Sequence, residues 1–548
     1  MSGWRNDLVV AALHERRPGG HRPPLHYVLC LLISAVGLLS ACSKRESPAN
    51  SGQTLRLSQR NEPATLDPQL ATLPDEFFII RALSEGLVSP NPAGGTPLPA
   101  MAERWETSPD GLVWTFHLRR GAKWSNGDAV RAQDFIHSFR RALTPATAAP
   151  KAQLFFAVKN AAAFYRGQIA DFASVGFAAP DDRTLVITLE HPSAGLLALA
   201  ASGPWIPVHP ATVEKHGAQW TRLGNFTGNG PFTLTEWMPN QHITVQKNPG
   251  YWDAGNVALA GIRFLAFDNG DAEERAFRAG QVDVTMAAPF SKLDSWRPAQ
   301  PPVLRTVPLH EIRYLALNTT RPPLDNPRVR RALALALDRT ALVEKVLNGG
   351  QQPALSFVPP GLGGYQPGAR LTGTPDEARR LLAEAGFHGG RGFPRLELTS
   401  WTASPVLEAV QQMWKQELGI EVAIVQREAR THLAALAAGD YDIGFVPAIP
   451  DYDDPAAVLD ELLSGAAGNY PHWSNPDYDR RIAAAQAIAA PARRLARYQE
   501  AERVILADLP LIPLYFNSQN FLARPAVKGW QADPLWTRYY KQVQLHEN

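Results

Sequence analysis

Period-two apolar runs and amphipathic helical runs succeed one another along the whole chain without settling into a sustained strand–helix–strand repeat. That mixture argues for several α/β or α+β lobes rather than one continuous sheet. The 548 residues point the same way. A single hydrophobic core stops growing near roughly 250–300 residues, so two or more lobes are expected.

Short signals mark the elements. "QTLRLSQR" has the alternation of a half-buried strand, and "DEFFIIRALSEGL" reads as a helix. Asp110-Gly111 and Asn126-Gly127 are turn signals on either side of the alternating "LVWTFHLRR". From about Ala132 a helix places Phe135, Ile136, Phe139 and Leu143 on one face. "PDDRTLVITLEHP" is a turn and a strand, and "TGNGPFTLTEWMPNQHITVQKNPGYWDAGN" is strand, turn and strand. "AGIRFLAFDNGDAEERAFRAGQVDVT" gives a strand, a helix and a short strand. "DNPRVRRALALALDRTALVEKVL" is helical after Asn326-Pro327. "TPDEARRLLAEAGF" carries a full set of end signals: Thr374 as N-cap, Pro375 at the first helical position, Glu377 for a capping box and Gly386 as the stop. "LEAVQQMWKQELGIEVAIVQRE" is a helix followed by a buried strand.

Both cysteines, Cys30 and Cys42, lie near the N-terminus, so the rest of the chain contains no disulfide framework. "HYVLCLLISAVGLLSAC" is an apolar run preceded by Arg16, Arg17 and Arg22, the layout of a secretory signal segment. It ends in Leu39-Ser40-Ala41-Cys42, which resembles a bacterial lipobox, with Cys42 as the lipidated residue. Residues 1–42 are therefore expected to be signal segment and 43–51 a polar tether. The expected location is the periplasm or cell envelope, with the chain held to a membrane by its lipid.

Lys+Arg total 54 and Asp+Glu 52, a net charge of +2, without the basic footprint of a nucleic-acid binder. There is no G-x-S-x-G elbow, no H-E-x-x-H motif and no phosphate-binding loop. The 14 histidines include no pair at metal-ligand spacing. We therefore expect no catalytic residue, no metal and no cofactor.

The stretch "FVPAIPDYDDP", Phe445 to Pro455, remains to be explained. It lacks the spacing of a calcium loop. Asp454-Pro455 before "AAVLDELL" reads as a helix N-cap with proline at the first helical position, and Asp453 falls near the same helix start. Asp451 is left over, with a solvated turn as its simplest reading.

The segments "AERWETSPDGLVWTFHLRRGAKWSNGD", "NGPFTLTEW", "VQKNPGYWD", "RFLAFDN", "NPRVRRALALALDR", "TPDEARRLLAEAGF", "MWKQELGIEV" and "DYDDPAAVL", in that order, resemble the oligopeptide-binding proteins of ABC peptide importers, the family 5 extracellular solute-binding proteins. The resemblance implies an α/β, three-lobe periplasmic-binding-protein-like fold (type II, cluster C). Two main lobes would close by a hinge, with an accessory lobe beside them. Lobe I would comprise 52–84, 209–310 and 517–548, accessory lobe II 85–208, and lobe III 311–516. It further implies a monomer, not an enzyme, that captures short peptides between its lobes and delivers them to an inner-membrane ABC permease and its ATPase subunits. The alternative is a peptide or murein-peptide sensor or chaperone uncoupled from transport.

By the same resemblance Asp451 meets the peptide's amino group, and the backbone of Thr72, Leu73, Ala448 and Ile449 lines the cleft by strand addition. Leaving a buried ammonium without such a carboxylate costs roughly 3–5 kcal/mol. The chain departs from the family pattern in having Pro447 and Ala448 in one binding strand and "TLP" (Thr72–Pro74) in the other, since proline has no N–H to donate. Leu347 and Phe445 stand where some members carry basic residues for the peptide's carboxylate. These departures leave peptide length and the strand-addition mode open, with a shorter or murein-type peptide as alternatives.

Overall fold

In a computed structural model, residues 54–60, 62–531 and 533–546 are described. The expected signal segment 1–42, with Cys42, and the expected tether 43–51 lie outside them.

Three main sheets organise this body. In the first, Thr54–Gln59, Gly261–Ala266, His242–Lys247 and Phe232–Met238 lie side by side. Thr54–Gln59 runs parallel to Gly261–Ala266, and the other neighbours are antiparallel hairpin partners. The short strand expected after the Gly270–Arg278 helix is reduced to a bridge at Val284, which meets both Leu57 and Ala523.

A second, wholly antiparallel sheet orders Ala102–Thr107, Val113–Leu118, Thr184–Thr188 and Phe177–Asp181. Its cover is the Ala132–Leu143 helix, which buries Phe135, Phe139 and Leu143, the stripe the sequence predicts, and leaves Ile136 half-buried. Phe139 packs against the rings of Phe155, Phe177 and Trp205 at centroid distances of 5.4, 4.8 and 5.0 Å. Aromatic burial of this kind holds the sheet and its neighbouring turns in one core.

The third sheet has six members, in the order Gln352–Pro353, Leu511–Leu522, Leu304–Leu317, Ile443–Ala448, Leu396–Ser400 and Val422–Gln426. Its two long strands, Leu304–Leu317 and Leu511–Leu522, pair antiparallel from Leu304↔Leu522 to Ala316↔Leu511, with shifts of register between Pro308 and Tyr314. A separate core forms on this sheet from Leu315, Leu333, Leu398, Trp414 and Ile512. Trp414 is fully buried and satisfies its indole by donating to the Leu333 carbonyl at 2.9 Å.

Two readings of the sequence change here. The strand expected to be buried after the Pro405–Leu418 helix is the edge of the sheet: Val422 is buried, but Ile424 is 37% exposed, because only one neighbour covers it. The long helix after Asn326-Pro327 is broken in two, Pro327–Leu335 and Arg339–Ala341 continuing to Leu347. Asp338 caps the second piece through the Ala341 N–H, and the buried Arg339 guanidinium takes the carbonyls of Ala334 and Leu337 that the break releases. The cap at Thr374 is formed, with its hydroxyl accepting from the Glu377 N–H at 3.2 Å.

Candidate functional site

The apolar run before the acidic turn is a central strand. Ile443–Ala448 pairs antiparallel with Leu304–Leu317, Ile312 facing Ala448 and Leu317 facing Ile443. On its other side it pairs with Leu396–Ser400 only at Ile443 and Gly444. From Phe445 onward this edge is outside any ladder, so the strand emerges from the sheet half-covered. Ile449 and Pro450 then carry the chain to Asp451.

There the Asp451 carboxylate is joined by a side chain from the other half of the molecule. Lys151 Nζ forms an ion pair and hydrogen bond with Asp451 Oδ1 across 300 residues of sequence. The Lys151 side chain is 18% exposed and that of Asp451 31%. Lys151 opens the turn Ala152–Phe155, whose Ala152, Leu154 and Phe155 are buried, so its backbone is anchored in the aromatic core. Its ammonium also lies 5.8 Å from the centre of the Phe77 ring, within range of a cation–π contact. Phe77 is on the Pro74–Leu83 helix and rests on Gly203, where a Cβ would come within 2.0 Å of the ring.

The remaining aspartates are structural. Asp453 Oδ1 accepts from the Gly363 N–H at 2.6 Å. Asp454 is buried, accepts from the Ala456 N–H at 3.0 Å where the Ala456–Leu459 turn of helix begins, and pairs with Arg494. Asp454 thus lies at the helix start that the sequence suggests, just before Pro455, whereas the Asp453 carboxylate is turned to Gly363 instead. Below them sit Asp460, held by Gln486 at 2.9 and 3.0 Å, and Glu461. Burial lifts both carboxyls to about 8; repulsion from Asp451 adds to the rise at Glu461, and Lys151 opposes it. The protonated form of Glu461 is thereby favoured relative to an exposed glutamate.

The other expected binding residues are placed less simply. Thr72 and Leu73 are exposed beside the Pro74–Leu83 helix, but both their N–H groups donate to Glu76 Oε2, at 2.8 and 3.0 Å. Those donors are committed to the helix start. Ala448 is buried in the ladder and Ile449 half-buried. Leu347 and Phe445 are both core residues. Phe445 stacks on Trp401 with centroids 6.0 Å apart, and Arg313 lies 5.6 and 5.9 Å from the two ring centres. Arg313 is held by Glu311, whose oxygens also accept from Asn517 and Trp536 at 3.0 and 2.9 Å.

Lys151, Phe77 and Glu461 around Asp451, and Arg313 and Trp401 around Phe445, are candidate residues that sequence reasoning did not single out. Each sits in an ordinary local pattern; what distinguishes them is proximity created by folding. Together these groups offer opposed charges, aromatic faces and hydrogen-bond donors and acceptors, a binding chemistry. Among the described residues no cluster of three or more His, Cys, Asp or Glu side chains is placed to hold a metal ion.

The chain is similar to known proteins over most of its length. Residues 96–470 match the family model of bacterial extracellular solute-binding proteins, family 5 Middle. The chain is 35% identical over 521 residues to the probable deoxycholate-binding periplasmic protein YgiS of Escherichia coli K12, covering 92% of this chain and 95% of YgiS. It is 32% identical over 534 residues to the periplasmic oligopeptide-binding protein OppA of Salmonella typhimurium, covering 94% and 97%. The murein tripeptide binding protein MppA of Escherichia coli superposes with a TM-score of 0.83 at 32% identity, covering 91% of this chain and 99% of that one. MppA in its unliganded open form, with the same identity and coverage, gives 0.73. The chain thus superposes less well on the unliganded open form of MppA than on the other MppA structure.

Proposed function

Because the chain belongs to the bacterial extracellular solute-binding proteins of family 5, we propose that it captures short peptides between its lobes in the periplasm and delivers them to an inner-membrane ABC permease and its ATPase subunits. The observation that carries this reading is the carboxylate of Asp451, set at the free end of a central strand and facing a partner from a distant part of the chain. Likeness to peptide-binding relatives over nine-tenths of the chain supports it.

On this reading the lobes are those the family resemblance implies: I from 52–84, 209–310 and 517–548, II from 85–208, III from 311–516. Each of the three sheets falls mainly within one of them, and the long strands Leu304–Leu317 and Leu511–Leu522 cross from I to III. Those two crossings are the hinge, and closure follows from ligand contacts made by both sides at once. The protein acts as a monomer, performs no reaction, and is held to the membrane through Cys42.

A murein-type peptide is the second reading within the same class. It is favoured by the likeness to MppA and by the commitment of the Thr72 and Leu73 N–H groups to Glu76, which leaves fewer donors for a long extended peptide. Native mass spectrometry of the purified chain after exposure to a peptide digest and to murein fragments tests both. Short peptides retained on the protein are expected. A cleft that takes only a steroid acid such as deoxycholate, or takes nothing from either mixture, overturns the peptide reading.

A further inference from the structure

Asp451 already has an ammonium. Lys151 Nζ contacts Oδ1, its backbone is fixed by a buried turn, and its charge faces the Phe77 ring. We propose that Lys151 is a built-in counter-ion of Asp451, and that this end of the cleft selects peptides whose amino terminus is blocked as an amide over peptides with a free α-ammonium. The proposal rests on the peptide reading above and names the chemical class of ligand within it.

The argument is one of charge and of hydrogen-bond complementarity. A free α-ammonium brings a second cation to a carboxylate that is already paired, and it has donors only. Like charges brought together in a partly buried site repel, which is a common basis of selectivity. Glu461, a further carboxyl that feels both charges of the pair, is partly buried, and burial and the Asp451 charge push it up to about 8 against the opposing pull of Lys151, so its ionised form is disfavoured here. Asp454 is engaged with Arg494, Asp453 with the Gly363 N–H and Asp460 with Gln486. A blocked terminus fits the pair instead. Its amide presents one N–H and one C=O; Asp451 Oδ2 is the acceptor for the first, and the remaining N–H bonds of Lys151 are donors for the second. The amide carries no net charge, so the ion pair stays intact when the ligand binds.

The test uses trialanine and N-acetyl-trialanine, with isothermal titration of the full chain and of Lys151→Met and Lys151→Gln. Wild type is expected to bind the acetylated peptide at least about tenfold more tightly, the size expected when a like charge is placed in a partly buried site. In both variants Asp451 loses its counter-ion, and the preference is expected to invert toward the free peptide. Equal or tighter binding of the free peptide by wild type overturns the proposal. So does a preference for the acetylated form that survives in both variants, which would assign it to another residue. Binding of neither peptide by any of the three, with a folded protein in each case, overturns the peptide reading itself and this inference with it.

Discussion

The turn that presents Asp451 is held from below by the pair Asp454–Arg494, and removing one half of that pair has a calculable cost. The two side chains are 3% and 9% exposed. Arg494→Met leaves the Asp454 carboxylate with the Ala456 N–H as its surviving donor. A buried pair broken on one side costs about 3–5 kcal/mol. An upper limit comes from protonation, because Asp454 escapes its unpaired charge by binding a proton. Starting from the ordinary value of 3.8, that costs about 1.4 kcal/mol per pH unit, or about 4 kcal/mol at pH 7. Arg494→Met should therefore lower the unfolding free energy by about 3–4 kcal/mol at pH 7, and the loss should shrink by about 1.4 kcal/mol for each unit the pH is lowered toward 5. Adding Asp454→Asn keeps a cap for the Ala456 N–H and removes the orphaned charge, so the double variant should recover about 2 kcal/mol of the loss. Urea unfolding followed by tryptophan fluorescence at pH 5, 6 and 7 reads all three values. A single variant costing less than about 1 kcal/mol, or a second substitution that deepens the loss, refutes the reasoning, because the pair would then not be the desolvated contact described.

Two further outcomes follow from the same region. Burial, with the Asp451 charge adding to it, raises the Glu461 carboxyl to about 8, so the folded chain keeps a proton that the unfolded chain releases above the ordinary carboxylate range. Its stabilising share is complete near the bottom of that range and is lost as the pH rises to about 8, with a slope of at most about 1.4 kcal/mol per unit. Glu461→Gln should flatten the dependence of the urea midpoint on pH between 5 and 8; parallel curves would mean that the group is ionised in the fold. Gly203→Ala places a methyl within 2.0 Å of the Phe77 ring. Displacing the ring should cost about 1–3 kcal/mol and remove it from Lys151, seen as a lowered urea midpoint, and an unchanged midpoint would show that the ring is free to move.

Much of this architecture is legible residue by residue. Thr374 and Asn326 cap the helices their sequences announce, Phe135, Phe139 and Leu143 form the buried stripe that their spacing predicts, and a helix starts after Asp454-Pro455 with the Asp454 carboxylate accepting from the Ala456 N–H. These features depend on neighbours within a few positions, and local backbone geometry decides them. Burial of a strand depends instead on what covers it. Val422–Gln426 carries the same apolar content as an inner strand and lies at the sheet's edge.

The site divides along the same line. The order of motifs from Ala102 to Leu459 sets the family, and it is the family resemblance, not the residue pattern around it, that singles out Asp451 as a candidate for binding. That the Asp451 carboxylate already has a cationic partner is a property of the folded chain alone. Lys151 lies 300 residues away in an unremarkable turn, Glu461 gains its proton from burial, and the N–H groups of Thr72 and Leu73 are spent on Glu76. Local pattern encodes which backbone each segment adopts, because periodicity and caps act over one or two turns. Charge pairing and desolvation act through space between segments of any separation, so the state of the carboxylate at the end of the strand is decided only when the lobes come together.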